Sequence, residues 1–343
     1  IRFQTGKGTV LNVLLWLPLF LLLFTFGCGK SEPEEPENSN DSQVTTTSVD
    51  SDNLTSSQAG DVVSPETDSG TEIVVKLLDP GAQPRTTLRY KFQAGRSETM
   101  VMVMNTSMAM EIGGQKRPET KIPSTQMAMT IESKEVSPQG DMRYEFKMEK
   151  ADVLAEPGAN PMMVNAMKQP LSSLVGMSGW ATVTPRGFTT DADIRMPPGI
   201  DPQMGQAMDN TKQSMKQMSA PLPVEPVGRG ARWQVTMPLE TNGMKITQTA
   251  TYELLEVQGD KVKFDVEIKQ SAEPQEMKMP GAAPGAKMLL ESLTSSGKGT
   301  MELQMTDLVP TSNVNMTTTN VVSANNQKIK TTMKIGMNVH PGN

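Results

Sequence analysis

The chain has 343 residues, enough for one large or two moderate domains; 28 of them are methionine and only 4% are aromatic. The formal net charge of -6 is uneven, because residues 1–28 carry +2 and residues 29–72 carry -10, which leaves +2 on the remaining body. Because the body is nearly neutral and has no basic stripe, its charge does not support nucleic-acid binding. Because methionines are many and aromatic residues few, we expect a core filled largely by flexible thioether side chains.

The N-terminus predicts export and attachment to a membrane. Arg2 and Lys7 precede an apolar run at 10–26, which is the plan of a secretory signal. This run is either cleaved or kept as an N-terminal anchor, since its length is near the minimum that spans a bilayer. Gly27 and Cys28 resemble the end of the lipobox of bacterial lipoproteins. The resemblance implies that Cys28, the only cysteine, is lipidated and needs no disulfide partner.

Residues 29–72 predict a disordered acidic tether. They are rich in Ser, Thr, Asp, Glu and Pro, and they bury too little apolar surface to offset the entropy of ordering. As a flexible coil they would hold the body about 36 Å from its anchor. The residue after Cys28 is Gly29 and not an aspartate, which would be a signal for retention in the inner membrane. We therefore expect the body outside the cytoplasm, in the cell envelope, on the periplasmic face or the outer membrane.

The body contains two stretches with the same order of features. Residues 125–148 and 247–268 both carry Thr-Gln-x-Ala, Glu-Val and Gln-Gly-Asp, followed by an alternating strand. This order predicts a duplication. The expected domains are a signal peptide at 1–28, the tether at 29–72, a first β-rich repeat at 73–198, a connecting amphipathic helix and linker at 199–225, and a second β-rich repeat at 226–343.

Most of each repeat alternates apolar and polar residues, the pattern of antiparallel strands with one buried face. The clearest runs lie at 88–92, 100–112, 142–148, 262–268 and 329–339. Helices are predicted at 201–218, where methionines form one stripe, and more briefly at 161–175 and 284–293. We therefore expect an α+β fold, with duplicated antiparallel β-sheet units that are half-barrel-like and that each pack against one or two short helices.

One phrase between the repeats resembles a known family. Pro226, Val227, Gly228, Gly230 and Trp233 form a Pro-Val-Gly-x-Gly-x-x-Trp segment. This segment, together with the early Leu-Arg-Tyr-Lys-Phe strand, is similar to an uncharacterised family of bacterial secreted lipoproteins, over about residues 75–340. The resemblance implies a location and a fold but no activity. The long strands also resemble the half-barrel of periplasmic lipoprotein carriers, which hold acyl chains on a concave face.

Few residues suggest catalysis or metal binding. His340 is the only histidine, which argues against a Ser-His-Asp triad or a histidine-based zinc site. The Gly-rich segment 281–288 lacks the spacing of a phosphate loop, and Asp191 and Asp193 lack the turn glycine of a calcium loop. We expect no cofactor and no metal.

Methionines supply the candidate site. Seven of them fall on alternate positions and are expected to share one sheet face: Met100, Met102, Met104, Met108, Met110, Met127 and Met129. Three interpretations are open: soft packing in the core, an adaptable apolar cavity for a lipid or similar ligand, and a Cu(I) site.

These features predict a membrane-anchored, non-enzymatic extracytoplasmic lipoprotein. The seven methionines would line a curved sheet face that binds an apolar ligand or a protein partner of unknown identity, with the membrane as a second partner and no nucleic acid. One alternative is an enzyme acting on envelope polymers through convergent carboxylates. Another is a purely structural spacer with closed sheet faces.

Overall fold

The computed structural model describes residues 73–154, 157, 159–197, 221–241, 244–277, 288–324 and 327–342. The predicted signal with Cys28, the tether at 29–72 and the helix expected at 201–218 lie outside these residues. Within them, no helix is long and apolar enough to cross a membrane.

Nearly all of the described chain is β-strand. In chain order the strands are β1 (Val74–Asp79), β2 (Ser97–Ile112), β3 (Gln115–Lys116), β4 (Thr120–Val136), β5 (Met142–Val153), β6 (Ser178–Val183), β7 (Thr189–Arg195), β8 (Arg232–Thr241), β9 (Met244–Gln258), β10 (Lys261–Ala272), β11 (Gln275–Met277), β12 (Met288–Gln304), β13 (Thr311–Ala324) and β14 (Gln327–Pro341). One helix, α1 (Pro161–Ser172), lies between β5 and β6.

The strands form one continuous antiparallel sheet. Neighbours follow the order β1-β8-β9-β10-β12-β13-β14-β2-β4-β5-β6-β7, while β3 pairs with β2 and β11 with β12. The chain therefore makes two meanders, β2 to β7 and β8 to β14, which join side by side where β14 pairs with β2. A single cluster of buried hydrophobic residues draws on both meanders, so the two halves share one core.

The predicted alternation is confirmed at 100–112, 142–148, 262–268 and 329–339, which lie in strands, and it decides which face is buried. The strand predicted at 88–92 is wrong, because these residues lie outside the strands in a segment that crosses one end of the sheet. In β10, Val262, Phe264, Val266 and Ile268 are buried while the residues between them are exposed or half-buried. We call the buried side of the sheet its inner face. Around Trp233 the inner face holds an aromatic cluster, with ring centroids 5.4 Å from Tyr252 in a stacked pair and 5.4 Å from Phe264 in an edge-on pair. Such pairs add about 0.5–1.5 kcal/mol each to the burial of their area.

One end of the sheet, which we call the capped end, is covered by two segments at 80–95 and 221–231. Thr86 and Val227 exchange both backbone hydrogen bonds at 2.9 Å. The Tyr90 N–H donates to the carbonyl of Pro185 at 2.8 Å, in the β6–β7 turn. The Lys91 N–H donates to the carbonyl of Met305 at 2.6 Å, in the β12–β13 turn. These bonds tie the two segments to each other and the first segment to a turn of each meander. The opposite end, which we call the far end, lies where β2 ends and β4 begins, with the connection at 113–119 between them, and where β13 ends and β14 begins.

The expected α+β class is wrong, because the described chain is almost entirely sheet and has one helix. The helix predicted at 161–175 is found as α1, which Asn160 begins by accepting a hydrogen bond from the Met162 N–H at 3.0 Å. The helix predicted at 284–293 is contradicted by the structure, since residues from Met288 onward begin β12. The two repeats are also not separate sheet units with helices of their own. The expected domain boundaries stay predictions.

Leu290 and Leu293 explain the error at β12. They lie three positions apart, as on a helix, yet both are buried on the inner face, with exposed fractions of 0% and 2%. The register against β13 shifts between Leu290 and Ser292, which is a β-bulge. A bulge adds one residue to the period of two and so produces helix-like spacing within a strand.

Candidate functional site

The seven methionines predicted to share a face do so, on the inner side of β2 and β4. Across these strands Met100 lies opposite Met129 and Met102 opposite Met127. Five of the seven are buried with exposed fractions of 2–4%: Met100, Met102, Met104, Met127 and Met129. These five pack in the core and do not line an open surface. Met108 and Met110 are only half-buried.

The half-buried pair belongs to a patch at the far end. Met108 lies opposite Met333 of β14, and Ile112 lies opposite Ile329. All of these side chains are half-buried, whereas Met337 and Val339, nearer the capped end of β14, are buried. We call the set Met108, Met110, Ile112, Ile329 and Met333 the methionine patch. Thr331 and Ile335, on the same face of β14, are half-buried as well, and Ile335 packs against the core.

A row of buried polar side chains runs into the patch. Gln248 lies opposite Gln270, Gln270 opposite Ser295, and Ser295 opposite Thr318, on β9, β10, β12 and β13. The next residue along the row is Met333, which belongs to the patch. We call these four residues the polar row. Because directly paired residues point to the same face, the row crosses the inner face at one level.

The polar row is internally hydrogen bonded. The Gln270 Nε2 group donates to Gln248 Oε1 at 2.7 Å, and the Ser295 and Thr318 hydroxyls lie 2.8 Å apart. The Gln248 Nε2 group lies 3.8 Å from the Met237 Sδ atom, a weak acceptor. At about 4.8 Å per strand, the distance from Gln248 to Met108 is roughly 24 Å. The inner face therefore offers a long surface that is polar at one side and thioether-rich at the other.

Asn320 adds an acceptor beside the row. Its Oδ1 atom is buried and has no hydrogen-bond partner. Asn320 lies opposite Thr331 of β14, one inner-face position from Thr318 toward the far end. A buried carbonyl oxygen without a donor is uncommon in native proteins, and a ligand donor would satisfy it. This atom marks the place where a bound molecule could present an N–H or O–H group.

Two ion pairs lie at the far end, outside the patch. Lys334 binds Glu119 at 3.1 Å and Lys328 binds Glu291 at 2.8 Å. Hydrogen bonds from Ser107 and Lys334 lower the pKa of Glu119. Hydrogen bonds from Lys328 and Ser323 lower the pKa of Glu291. These pairs are solvent-exposed and contribute little to stability. They leave the patch itself free of ionisable groups.

The described residues contain no group of three or more His, Cys, Asp or Glu side chains that could hold a metal ion. His340 lies near the end of β14 at the capped end, with its Nδ1 atom 2.7 Å from the Pro341 carbonyl oxygen. Asp191 and Asp193 lie in β7 and not in a loop.

Sequence reasoning missed the polar row and the pairing of Met108 with Met333. A signal for the row was available, because Gln248 and Gln270 occupy positions where the alternation of β9 and β10 requires an apolar residue. The pairing of β2 with β14 had no such signal, since it joins residues more than two hundred positions apart.

Comparison with known proteins gives a family match for part of the chain. No curated protein matches the sequence. Among solved structures, OpdQ of Pseudomonas aeruginosa is 8% identical, with 71% of this chain and 98% of that chain covered and a TM-score of 0.21. OccAB4 of Acinetobacter baumannii is 5% identical, with 73% and 99% covered and a TM-score of 0.20. Scores this low carry no argument about fold or function.

Residues 201–307, just under a third of the chain, match the model of a family of unknown function, DUF6263. The matched range contains the Pro-Val-Gly-x-Gly-x-x-Trp segment at 226–233. The expected resemblance to an uncharacterised family is thereby confirmed in its coarse form, while the lipoprotein character stays a prediction.

Proposed function

We propose that this protein is a non-enzymatic binding protein, held at an extracytoplasmic membrane surface through Cys28, that takes an apolar ligand at the methionine patch. The observation that carries the proposal is the partial exposure of the patch. Five neighbouring thioether and branched side chains remain half-buried, whereas Met100, Met102 and Met104 on the same face of β2 are buried.

Thioethers suit this role because methionine is flexible and polarisable and adapts to ligands of differing shape. Ligand sites are mostly apolar, with a few placed polar groups that orient the ligand. Here the patch supplies the apolar part, and Asn320 Oδ1 and Thr318 supply polar atoms beside it. The ligand class favoured by this arrangement is a long apolar chain that bears one hydrogen-bond donor.

Photo-crosslinking tests the site. The full chain, purified in a non-ionic detergent, is irradiated with a diazirine analogue of palmitic acid and digested, and the labelled peptides are identified by mass spectrometry. We expect labelling of peptides from β2 and β14 that contain Met108 and Met333. Competition by unlabelled palmitic acid should remove the label.

Adjacent positions on β14 provide a matched pair of variants. Met333→Asp places a charge on the inner face, whereas Thr332→Asp places the same charge on the outer face. The first should abolish labelling and the second should preserve it, with folding of both checked by circular dichroism. If Met333→Asp fails to fold, Met108→Trp tests the same site by filling it. Equal labelling in the inner-face and outer-face variants would refute the proposal.

The same measurement tests the spacer alternative. A spacer would take no label at β2 or β14 in the unmodified chain. An enzyme acting through carboxylates would need two or more acids converging on a cleft, and the five residues of the methionine patch include none.

The anchor is tested separately, because Cys28 lies outside the described residues. Cells that express the full chain are fed an alkyne-tagged fatty acid, and the protein is examined for the tag. We expect label on the wild type and none on Cys28→Ser. Label that persists in Cys28→Ser, or a wild-type chain without label, would refute lipid attachment at this residue.

A further inference from the structure

A groove of about 680 Å³ lies at the capped end, away from the methionine patch. Its walls are residues 83–86, Val227, Arg229, residues 255–258 and Lys263. We call it the basic groove. It brings together the segment before the first meander, the segment between the meanders, and β9 and β10 of the second meander, so only the folded protein contains it.

Two glycines hold one wall in place. A Cβ atom at Gly228 would lie 1.8 Å from the Ala82 carbonyl oxygen, and one at Gly81 would lie 2.4 Å from the Gly228 carbonyl oxygen. The two segments can approach this closely only because both residues lack a side chain. Backbone hydrogen bonds then lock them, with the Ala82 N–H donating to the Arg229 carbonyl at 2.9 Å. Arg85 and Arg229 are therefore presented from a well-defined backbone.

A β-bulge shapes the opposite wall. Between β9 and β10 the register moves from Lys263 opposite Glu256 to Phe264 opposite Leu254, which leaves Leu255 as the extra residue. Bulges redirect side chains and occur often beside functional sites. The bulge lies next to the Gly230 N–H, which donates to the Leu254 carbonyl at 2.7 Å. The groove is thus bounded by the close contact of the two glycine segments on one side and by the β-bulge on the other.

The charges of the groove are unbalanced. Arg85, Arg229 and Lys263 face a single acid, Glu256, so the lining carries a net charge of +2. None of these three cations forms an ion pair within the described residues. Glu302, which lies opposite Lys263 on the other side, binds Lys261 instead. Glu256 accepts a hydrogen bond from Gln258.

Arg85 is also partly preoriented. Its Nε group donates to the Gly81 carbonyl at 2.9 Å, which leaves the two terminal nitrogens of the guanidinium group available. A guanidinium group with free terminal nitrogens binds phosphate or carboxylate oxygens in a forked pair of hydrogen bonds.

We propose that the basic groove binds a phosphate-bearing group, either free or as part of a lipid headgroup. The excess of two positive charges matches a doubly ionised phosphoryl or diphosphoryl group better than a single carboxylate. Arg85 and Arg229 bind the phosphoryl oxygens, and Lys263 supplies the third positive charge from the sheet side. This site is independent of the methionine patch and does not require an apolar ligand there.

Isothermal titration calorimetry on the full chain in a non-ionic detergent tests the proposal with three probes. Inorganic pyrophosphate represents a free phosphate, dihexanoylphosphatidic acid represents a lipid headgroup with a doubly ionisable phosphoryl group, and succinate carries two charges without phosphoryl oxygens. We expect at least one phosphate probe to bind, with an affinity that falls as salt rises. The stronger of the two phosphate probes identifies the source of the group. Binding of succinate as tight as that of both phosphates would overturn the ligand class.

A double variant locates the binding. Arg85→Gln with Arg229→Gln should weaken phosphate binding by about tenfold or more, since each removes a charge-assisted hydrogen bond. The control is Lys76→Gln with Arg117→Gln, two exposed positions outside the groove that lose the same charge. The control should bind within about twofold of the wild type. Equal losses in both double variants, or no phosphate binding by the wild type, would overturn the proposal.

Discussion

Replacement of Gly228 by alanine should destabilise the capped end more than the same replacement of Gly230, two residues further along the chain. The new Cβ atom would lie 1.8 Å from the Ala82 carbonyl oxygen, and real contacts of this kind are not shorter than 3.0 Å. The two segments must therefore separate by at least 1.2 Å, the difference between these distances. Both contacting groups belong to the backbone, so no side chain can rotate away to relieve the clash.

The cost follows from the hydrogen bonds that this separation breaks. Gly228 N–H donates to Pro80 and Ala82 N–H donates to Arg229, each at 2.9 Å, and the Thr86–Val227 pair lies next to them. Loss of three of these four backbone hydrogen bonds at roughly 1 kcal/mol each gives about 3 kcal/mol. For a domain of this size that is a fall in Tm of roughly 6–12 °C.

Gly230 provides the matched control. Its φ of +80° would strain an alanine, but a Cβ atom there meets nothing within 4 Å. The expected cost is about 1 kcal/mol. Thermal unfolding of both variants, followed by the fluorescence of the buried Trp233 cluster and by circular dichroism, compares the two. If Gly228→Ala melts at the same temperature as Gly230→Ala, the close approach of the two segments does not hold the capped end together.

Three further predictions concern the core. Gln270→Met should destabilise the fold by about 1–3 kcal/mol, because it leaves the buried Gln248 Oε1 without a donor. The double variant with Gln248→Met should recover part of that loss, as measured by denaturation curves. Burial raises the pKa of Tyr252, so the folded protein keeps this phenol neutral where the unfolded chain has lost its proton. Stability should therefore fall as pH rises past about 10, the ordinary tyrosine value, and less steeply in Tyr252→Phe; equal slopes in alkaline melts would contradict this. Met102→Ala, at a side chain only 2% exposed, should lower the free energy of unfolding by about 2–5 kcal/mol, and Met110→Ala at the patch should lower it clearly less. An equal loss for the two variants in denaturation curves would mean that the patch is ordinary core.

Two structural features show why the sequence predicted strands better than helices. The alternation in β10 arises from the geometry of an extended chain, in which successive side chains point to opposite faces, so it is visible without knowledge of the neighbouring strands. The spacing of Leu290 and Leu293 depends instead on a bulge in the pairing of β12 with β13. No property of the segment itself distinguishes that bulge from a turn of helix.

The candidate site was predictable only in part for a related reason. The sequence placed seven methionines on one face, and they do share it. It could not separate the five that are buried from Met108 and Met110, because burial depends on what lies across the sheet at each level. The partner at that level is Met333, brought next to Met108 by the joining of the first and last long strands of the two meanders.

The sequence alone therefore determined the period of the strands, the face that each strand buries and the expectation of a thioether-rich core. These properties are local, because a period of two and a run of apolar residues act on a single strand. Only the tertiary structure decided that the two repeats merge into one sheet, that the polar row meets the methionine patch, and that Arg85 and Arg229 share a groove with Lys263. Each of these depends on contacts between distant parts of the chain, which form when the strands pair and the core closes.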